Sequence, residues 1–169
     1  DALPILASEG SFGPDPFTGM LPWNVEMVVW IDDALGLEVV GVAHGAAHDD
    51  HLQTGKWAEV EAFAAQQDFP RHQLVMRSDG QDGSPVCKGI ADWDSLRSCF
   101  DDCIRHSKNR QVFVEADLRA FANPSRMQNI ERAAHDLVLR LKSVCPVCDA
   151  PTKDGDYCSN KCWKANNDD

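Results

Sequence analysis

The chain has 169 residues, 43% of them hydrophobic, which suits one ordinary domain with a packed core and a small appendix. Its 27 acidic and 16 basic residues leave a net charge of −11, which disfavours nucleic acid as a partner because phosphate backbones are repelled. We expect no membrane association, because no apolar run spans a bilayer. The odd number of cysteines outside the tail fits a cytoplasmic location.

The first third of the chain predicts three strands, at residues 3–7, 25–31 and 37–43. A turn signal between the second and third strands predicts a hairpin. Gly and Pro predict a loop over residues 8–22, and a His- and Asp-rich segment predicts another over residues 44–55. Because an apolar segment follows Asp1 almost at once, we expect the chain to be a piece of a longer protein.

The remaining elements alternate between helix and strand. Helical spacing of apolar residues predicts helices over residues 57–67 and 93–106, and short apolar runs predict strands over 73–77 and 111–115. Asn123 or Ser125 is expected to cap a long final helix. This order predicts an α/β fold, a three-layer-like mixed sheet with flanking helices, as a domain over residues 1–142 that lacks its N-terminal part.

The tail carries two close pairs of cysteines that predict a zinc module over residues 143–169. The four thiolates, which suit one structural Zn²⁺, belong to Cys145, Cys148, Cys158 and Cys162. The short polar stretch between the pairs cannot bury a core, so a metal is expected to hold it. Disulfides, buried free thiols and a redox CxxC are the alternatives, and the last of these lacks its thioredoxin-like context.

A polar stretch after the last predicted strand is the first candidate for chemistry. Glu115 and Asp117 lie two residues apart, so their carboxylates are expected to point to one side and hold Mg²⁺ or Mn²⁺. Arg119 and Arg126 suit an anionic ligand, and Asn123 opens the helix nearby. The alternative is an ion-pair network that caps the helix.

Three weaker candidates stand elsewhere. The loop over residues 8–14 would cradle an anion through Ser8, Ser11 and backbone N–H groups, and Glu9 would add a metal ligand. Lys88 would contact phosphate, although a surface lysine is the simpler interpretation. Two further groups of residues could ligate a metal but have simpler explanations. A solvated loop explains the first group (His44, His48, Asp49, Asp50, His51). A helix face with buried cysteines explains the second (Cys99, Cys103, His106).

Several of these motifs together resemble an uncharacterised bacterial family that ends in a cysteine-rich CPxC module. They are SEGSFGP at residues 8–14, KGI at 88–90, EADLRA at 115–120 and NPSRM at 123–127. The resemblance implies further residues before the start of this chain. The chain departs from the family at Phe121, where members carry histidine, and its tail is shorter and similar to treble-clef zinc modules.

The expected function is metal-dependent hydrolysis of a phosphate-bearing small molecule, such as a nucleotide. Glu9, Glu115 and Asp117 would hold the cation, and the arginines would hold the anion. A fold-level likeness to house-cleaning nucleoside-triphosphate pyrophosphatases, in which an acidic loop precedes a hairpin, is consistent with this expectation. The alternative is a non-catalytic ligand-binding or adaptor protein whose zinc module contacts a protein partner.

Overall fold

A computed structural model describes residues 3–145 of the chain. This part contains seven strands, three α-helices and a short 3₁₀ turn at Ala120–Ala122. In chain order the elements are β1 (Ile5–Pro14), β2 (Pro22–Asp32), β3 (Leu37–Ala46), β4 (His51–Thr54), α1 (Trp57–Gln66), β5 (Leu74–Ser78), β6 (Val86–Ile90), α2 (Trp93–His106), β7 (Val112–Ala116) and α3 (Pro124–Lys142). None of the helices described is long and apolar enough to span a membrane.

The chain divides into two compact units. Unit 2 comprises Ala47–Met127, and unit 1 comprises the residues up to Ala46 together with those from Gln128 onward. The α/β character expected from the sequence is confirmed, but the single mixed sheet is wrong. Each unit has its own sheet, and all neighbouring strands in both sheets are antiparallel.

Unit 1 contains a three-stranded sheet in the order β1-β2-β3. The predicted hairpin is confirmed as β2 and β3, whose turn contains Gly36 with a φ of +63°. One face of the sheet packs on α3 through a small apolar core of Val28, Val39, Ala43, Ala133 and Leu137. Alternation along the strands directs these side chains to one face.

The loop predicted over residues 8–14 is wrong, because this segment forms most of β1. It pairs with β2 along its full length, and Gly10 lies opposite Glu26. Glu26 is fully buried, and a Cβ at position 10 would approach its carboxylate oxygen to 2.2 Å. Gly10 therefore provides room for a buried carboxylate, and the glycine that suggested a loop has a packing role inside a strand.

Asp15 organises the connection between β1 and β2. Its carboxylate accepts hydrogen bonds from the Thr18 hydroxyl at 2.5 Å and the Thr18 N–H at 2.7 Å. The N–H groups of Phe17, Met20 and Leu21 also donate to it, at 2.9–3.0 Å. These bonds, led by the Thr18 hydroxyl, hold the pKa of Asp15 well below its ordinary value.

Unit 2 contains a four-stranded sheet in the order β4-β7-β5-β6. Its apolar core includes Leu74, Met76, Val112 and Val114 from the central strands and side chains from both helices, such as Val60, Phe63, Leu96 and Phe100. Helix α2 has the predicted bounds, and its N-cap is Asp92, which accepts from the Ser95 N–H at 2.8 Å. Strand β4 lies in the segment that the sequence predicted as a loop over residues 44–55, and β6 has no counterpart among the predicted strands.

The start of α3 follows the prediction. The Asn123 side chain accepts from the Arg126 N–H at 3.0 Å, and Pro124 is the first helical residue. This combination is a favoured helix start, because the carbonyl oxygen of asparagine satisfies a free N–H group and proline has none to satisfy. Asn123 is therefore the cap, and Ser125 lies in the first turn.

Candidate functional site

The polar stretch that the sequence predicts as a candidate site follows β7 and packs around Gln73, the residue before β5. The Asp117 N–H donates to the Gln73 carbonyl at 2.9 Å, and the Gln73 N–H donates to the Ala122 carbonyl at 2.9 Å. These two bonds extend the pairing of β5 with β7 beyond the last strand residues. They hold the segment from Asp117 to Asn123 beside His72 and Gln73, within unit 2.

Asp117 is only 2% exposed and is fully engaged by donors. Its carboxylate accepts from Arg119 Nε at 2.9 Å and Nη2 at 2.5 Å. It also accepts from the backbone N–H groups of Arg119 at 3.1 Å and Gly89 at 3.2 Å. Burial by itself would raise the pKa of Asp117, but the Arg119 side-chain and backbone hydrogen bonds outweigh it and lower that pKa.

Arg119 is held in place by this carboxylate and remains 45% exposed. Its Nε and Nη2 bind Asp117, while Nη1 takes no part in that pair. The guanidinium carbon lies 4.7 Å from the centre of the Phe121 ring, a cation–π distance. Gly89, with a φ of +67°, leaves room for the arginine, since a Cβ there would lie 3.2 Å from Nη2. The result is a fixed guanidinium with a free edge.

Glu115 has a different partner. Its carboxylate accepts a hydrogen bond from Arg77 Nη1 on the neighbouring strand, and the Glu115 side chain is 27% exposed. Each of the two predicted metal ligands is thus paired with an arginine. Within residues 3–145 no group of three His, Cys, Asp or Glu side chains is arranged to hold a metal ion.

The other predicted site residues are distributed over both units. Glu9, Ser8 and Ser11 are exposed on β1 of unit 1, so their assembly with Glu115 and Asp117 stays a prediction. Lys88 is exposed on β6, next to Gly89. Arg126 donates to the Leu118 carbonyl at 2.7 Å, and Asn123 is 1% exposed.

The predicted zinc module lies almost entirely outside the described residues. Cys148, Cys158 and Cys162 fall there, and Cys145 is buried at the end of the described chain. The zinc site and its treble-clef form stay predictions.

The histidine-rich segment is not the solvated loop that the sequence suggested, because His44 lies in β3 and His51 in β4. The two helix cysteines are buried or half-buried as expected, whereas His106 on the same helix is exposed. His44 stacks on Trp23, His48 contacts His72, and His51 stacks on Phe113, so each imidazole has its own ring partner. Cys103 is buried and Cys99 half-buried. Burial and the neighbouring Cys87 raise the pKa of both thiols to about 12, so they stay protonated at neutral pH.

Sequence reasoning missed a pair of side chains that the fold brings together from 53 residues apart. His72 Nε2 lies 2.8 Å from the Ser125 hydroxyl oxygen. The Ser125 N–H also donates to this nitrogen at 3.4 Å. The sequence contains no local motif that joins the two, since one precedes β5 and the other lies in the first turn of α3.

Comparison with known proteins gives a family and no activity. No curated protein and no solved structure matches the chain significantly. A family model described as a domain of unknown function, DUF6671, matches residues 3–159. Because this match covers both units, the chain belongs to the DUF6671 family.

Proposed function

We propose that the chain binds a phosphate-bearing small molecule at the exposed edge of Arg119. The observation that carries this proposal is the pairing of Arg119 with the buried carboxylate of Asp117. A guanidinium that is already oriented loses less side-chain entropy when it binds an anion. Its free Nη1 offers the forked donors that phosphate oxygens accept.

The binding test is a calorimetric titration of the full chain with inorganic pyrophosphate and with adenosine monophosphate. We expect Arg119→Gln to weaken binding by about 10- to 100-fold, the equivalent of one charge-assisted hydrogen-bond contact. Arg105→Gln is the matched control, because Arg105 is also an arginine paired with an aspartate, at 3.0 Å, and is 71% exposed. An equal loss in both variants, or no binding by the unaltered chain, would contradict the proposal.

Catalysis of hydrolysis with Mg²⁺ or Mn²⁺ is the second candidate, supported by the two carboxylates at the end of β7. It requires Glu115 and Asp117 to exchange an arginine partner for the cation. The same titrations, repeated with Mg²⁺ and followed by phosphate release, distinguish turnover from binding. Adaptor binding to a protein partner through the tail is the further alternative, and it predicts no phosphate release.

We also propose that Cys145, Cys148, Cys158 and Cys162 hold one structural Zn²⁺, since four thiolates leave no open coordination position.

Metal analysis of the purified chain should find one zinc per chain, and Cys145→Ser should lower that content. Cys87→Ser, at a half-buried thiol in unit 2, is the control that should retain zinc. A chelator should unfold the tail and leave the strands and helices before residue 143 intact, as measured by circular dichroism. Zinc-free protein with an ordered tail would contradict this proposal.

A further inference from the structure

The contact between His72 and Ser125 continues to a carboxylate on the other side of the imidazole. The Asp68 carboxylate oxygen lies 3.6 Å from His72 Nδ1, and His72 Nε2 lies 2.8 Å from Ser125 Oγ. All three residues belong to unit 2. An acid, an imidazole and a hydroxyl in this order form the arrangement that activates serine as a nucleophile.

The neighbouring hydrogen bonds determine which nitrogen of His72 carries the proton. A backbone N–H can only donate, so the bond from the Ser125 N–H makes Nε2 an acceptor without a proton. The proton of the neutral ring is therefore on Nδ1, toward Asp68. Burial, reinforced by the adjacent His48, lowers the pKa of His72, which favours this neutral form. The charged groups facing the ring are Asp68 and Arg71, and His48 contacts it at 4.6 Å between centroids.

The backbone fixes the positions of both ends of this array. Asp68 has a φ of +58° and follows the end of α1, where the N–H groups of Phe69 and Asp68 donate to the carbonyls of Ala64 and Ala65 at 3.0 and 3.2 Å. This pair of bonds is a Schellman motif, which holds Asp68 rigidly beyond the helix end. Ser125 is held in the first turn of α3, whose cap is Asn123.

The Nδ1 atom of His72 makes no hydrogen bond to the described residues. His72 is fully buried. Leaving a buried donor unsatisfied destabilises the fold, because the group loses its hydrogen bonds to water and gains none in return. If His72 only capped the helix at Ser125, Nε2 alone would be enough. Such a role does not explain why Nδ1 faces the Asp68 carboxylate slightly beyond hydrogen-bond distance. Hydrogen bonds between catalytic groups are often long without substrate and tighten when it binds.

We propose that Ser125 and His72 are the nucleophile and general base of an esterase-type acyl-transfer site, and that Asp68 is a positioning residue. Ser125 Oγ attacks the carbonyl carbon of an acyl ester while its proton passes to His72 Nε2. The ester C–O bond then breaks, and the same proton leaves with the alcohol. Water adds to the acyl-serine with His72 again accepting the proton, which releases a carboxylic acid and restores Ser125. The reaction uses neither Arg119 nor Asp117, so this activity is independent of the phosphate binding proposed above.

The direct test is labelling of the full chain with a fluorophosphonate probe, followed by digestion with trypsin and mass spectrometry. Cleavage after Arg119 and Arg126 releases residues 120–126, whose single hydroxyl-bearing residue is Ser125. We expect the label on this peptide and measurable hydrolysis of p-nitrophenyl acetate. Absence of label from this peptide, under conditions in which chymotrypsin is labelled, overturns the proposal and assigns the pair to helix capping alone.

Variants separate catalysis from folding. Ser125→Ala should abolish both readouts, and His72→Gln should lower the labelling rate by about 10²- to 10⁴-fold. Asp68→Asn should slow labelling and lower the pH at which it reaches half its maximum, because the carboxylate no longer stabilises the imidazolium. Ser98→Ala, at an exposed position on α2, is the matched control and should label as the unaltered chain does. If the Ser125 variant fails to fold, the position of the label in the unaltered chain still decides the question.

Discussion

Gly41→Ala is expected to destabilise unit 1 by about 3 kcal/mol, the upper end of the usual cost of overpacking. A Cβ at position 41 of β3 would lie 2.2 Å from the Ala133 carbonyl oxygen and 2.3 Å from the Leu137 nitrogen. Both atoms belong to the backbone of α3, so neither can move aside without displacing the helix. The small apolar core between the sheet and α3 would lose its contacts when the helix is displaced.

The measurement for this variant is amide hydrogen exchange followed by mass spectrometry, which locates the loss of stability within the chain. Exchange should accelerate in the peptides of β2, β3 and α3, whereas the peptides of α2 and β5 keep their protection. Gly13→Ala is the matched control, because a Cβ at this position of β1 would meet nothing within 4 Å. Equal exchange in the two variants would show that α3 does not pack on Gly41 as described.

Asp117→Asn is expected to lower the free energy of unfolding by about 2 kcal/mol, since charge-assisted hydrogen bonds contribute about 1.5–3 kcal/mol each and Arg119 remains partly solvated. The amide retains one acceptor oxygen but has no charge to offer Arg119, and its NH₂ group faces either the Gly89 N–H or the Arg119 N–H, each of which is itself a donor. We therefore also expect the pyrophosphate titration to weaken, because Arg119 loses its orientation.

We expect the stability loss caused by Asp117→Asn to depend on pH. The folded state lowers the pKa of Asp117, so its ionised form stabilises the fold above the unfolded-state pKa of about 3.9. This contribution is lost as the pH falls from about 4 through the lower, folded-state pKa. The stability difference between the unaltered chain and Asp117→Asn should therefore shrink in acid, as measured by urea unfolding at several pH values.

Asp82→Asn is the control for this prediction, because Asp82 is exposed in the connection that precedes β6. It should unfold at the same urea concentration as the unaltered chain at every pH. A constant difference for Asp117→Asn between neutral and acid pH would show that its charge does not contribute to stability.

Helical periodicity was the strongest predictor of the fold. α2 has the predicted bounds, α1 differs by one residue at its end, and α3 starts after the predicted cap Asn123. These elements depend on neighbours three and four residues away, which the sequence displays directly. The hairpin of β2 and β3 follows from equally local turn chemistry.

Segments whose structure depends on distant partners were predicted less well. Residues 8–14 contain two glycines and a proline, yet they form a strand because β2 supplies a complete pairing partner and the buried Glu26 requires a glycine opposite it. β4 and β6 are only four and five residues long, too short to show a clear pattern, and pairing with β7 and β5 makes them strands. Tertiary pairing overrides local propensity in such edge strands.

Local sequence patterns are enough to predict the helices, the hairpin, the family and the place of the polar stretch from Glu115 to Arg126, because all of these depend on residues close together along the chain. The tertiary structure alone decided the two antiparallel sheets, the arginine partners of Glu115 and Asp117, and the array of Asp68, His72 and Ser125. Asp117 with Arg119 and Asp68 with His72 are local pairs, two and four residues apart. The pairs Arg77 with Glu115 and His72 with Ser125 join residues that are 38 and 53 positions apart. Periodicity shows which face of an element is buried, but it does not specify which distant residues that face meets.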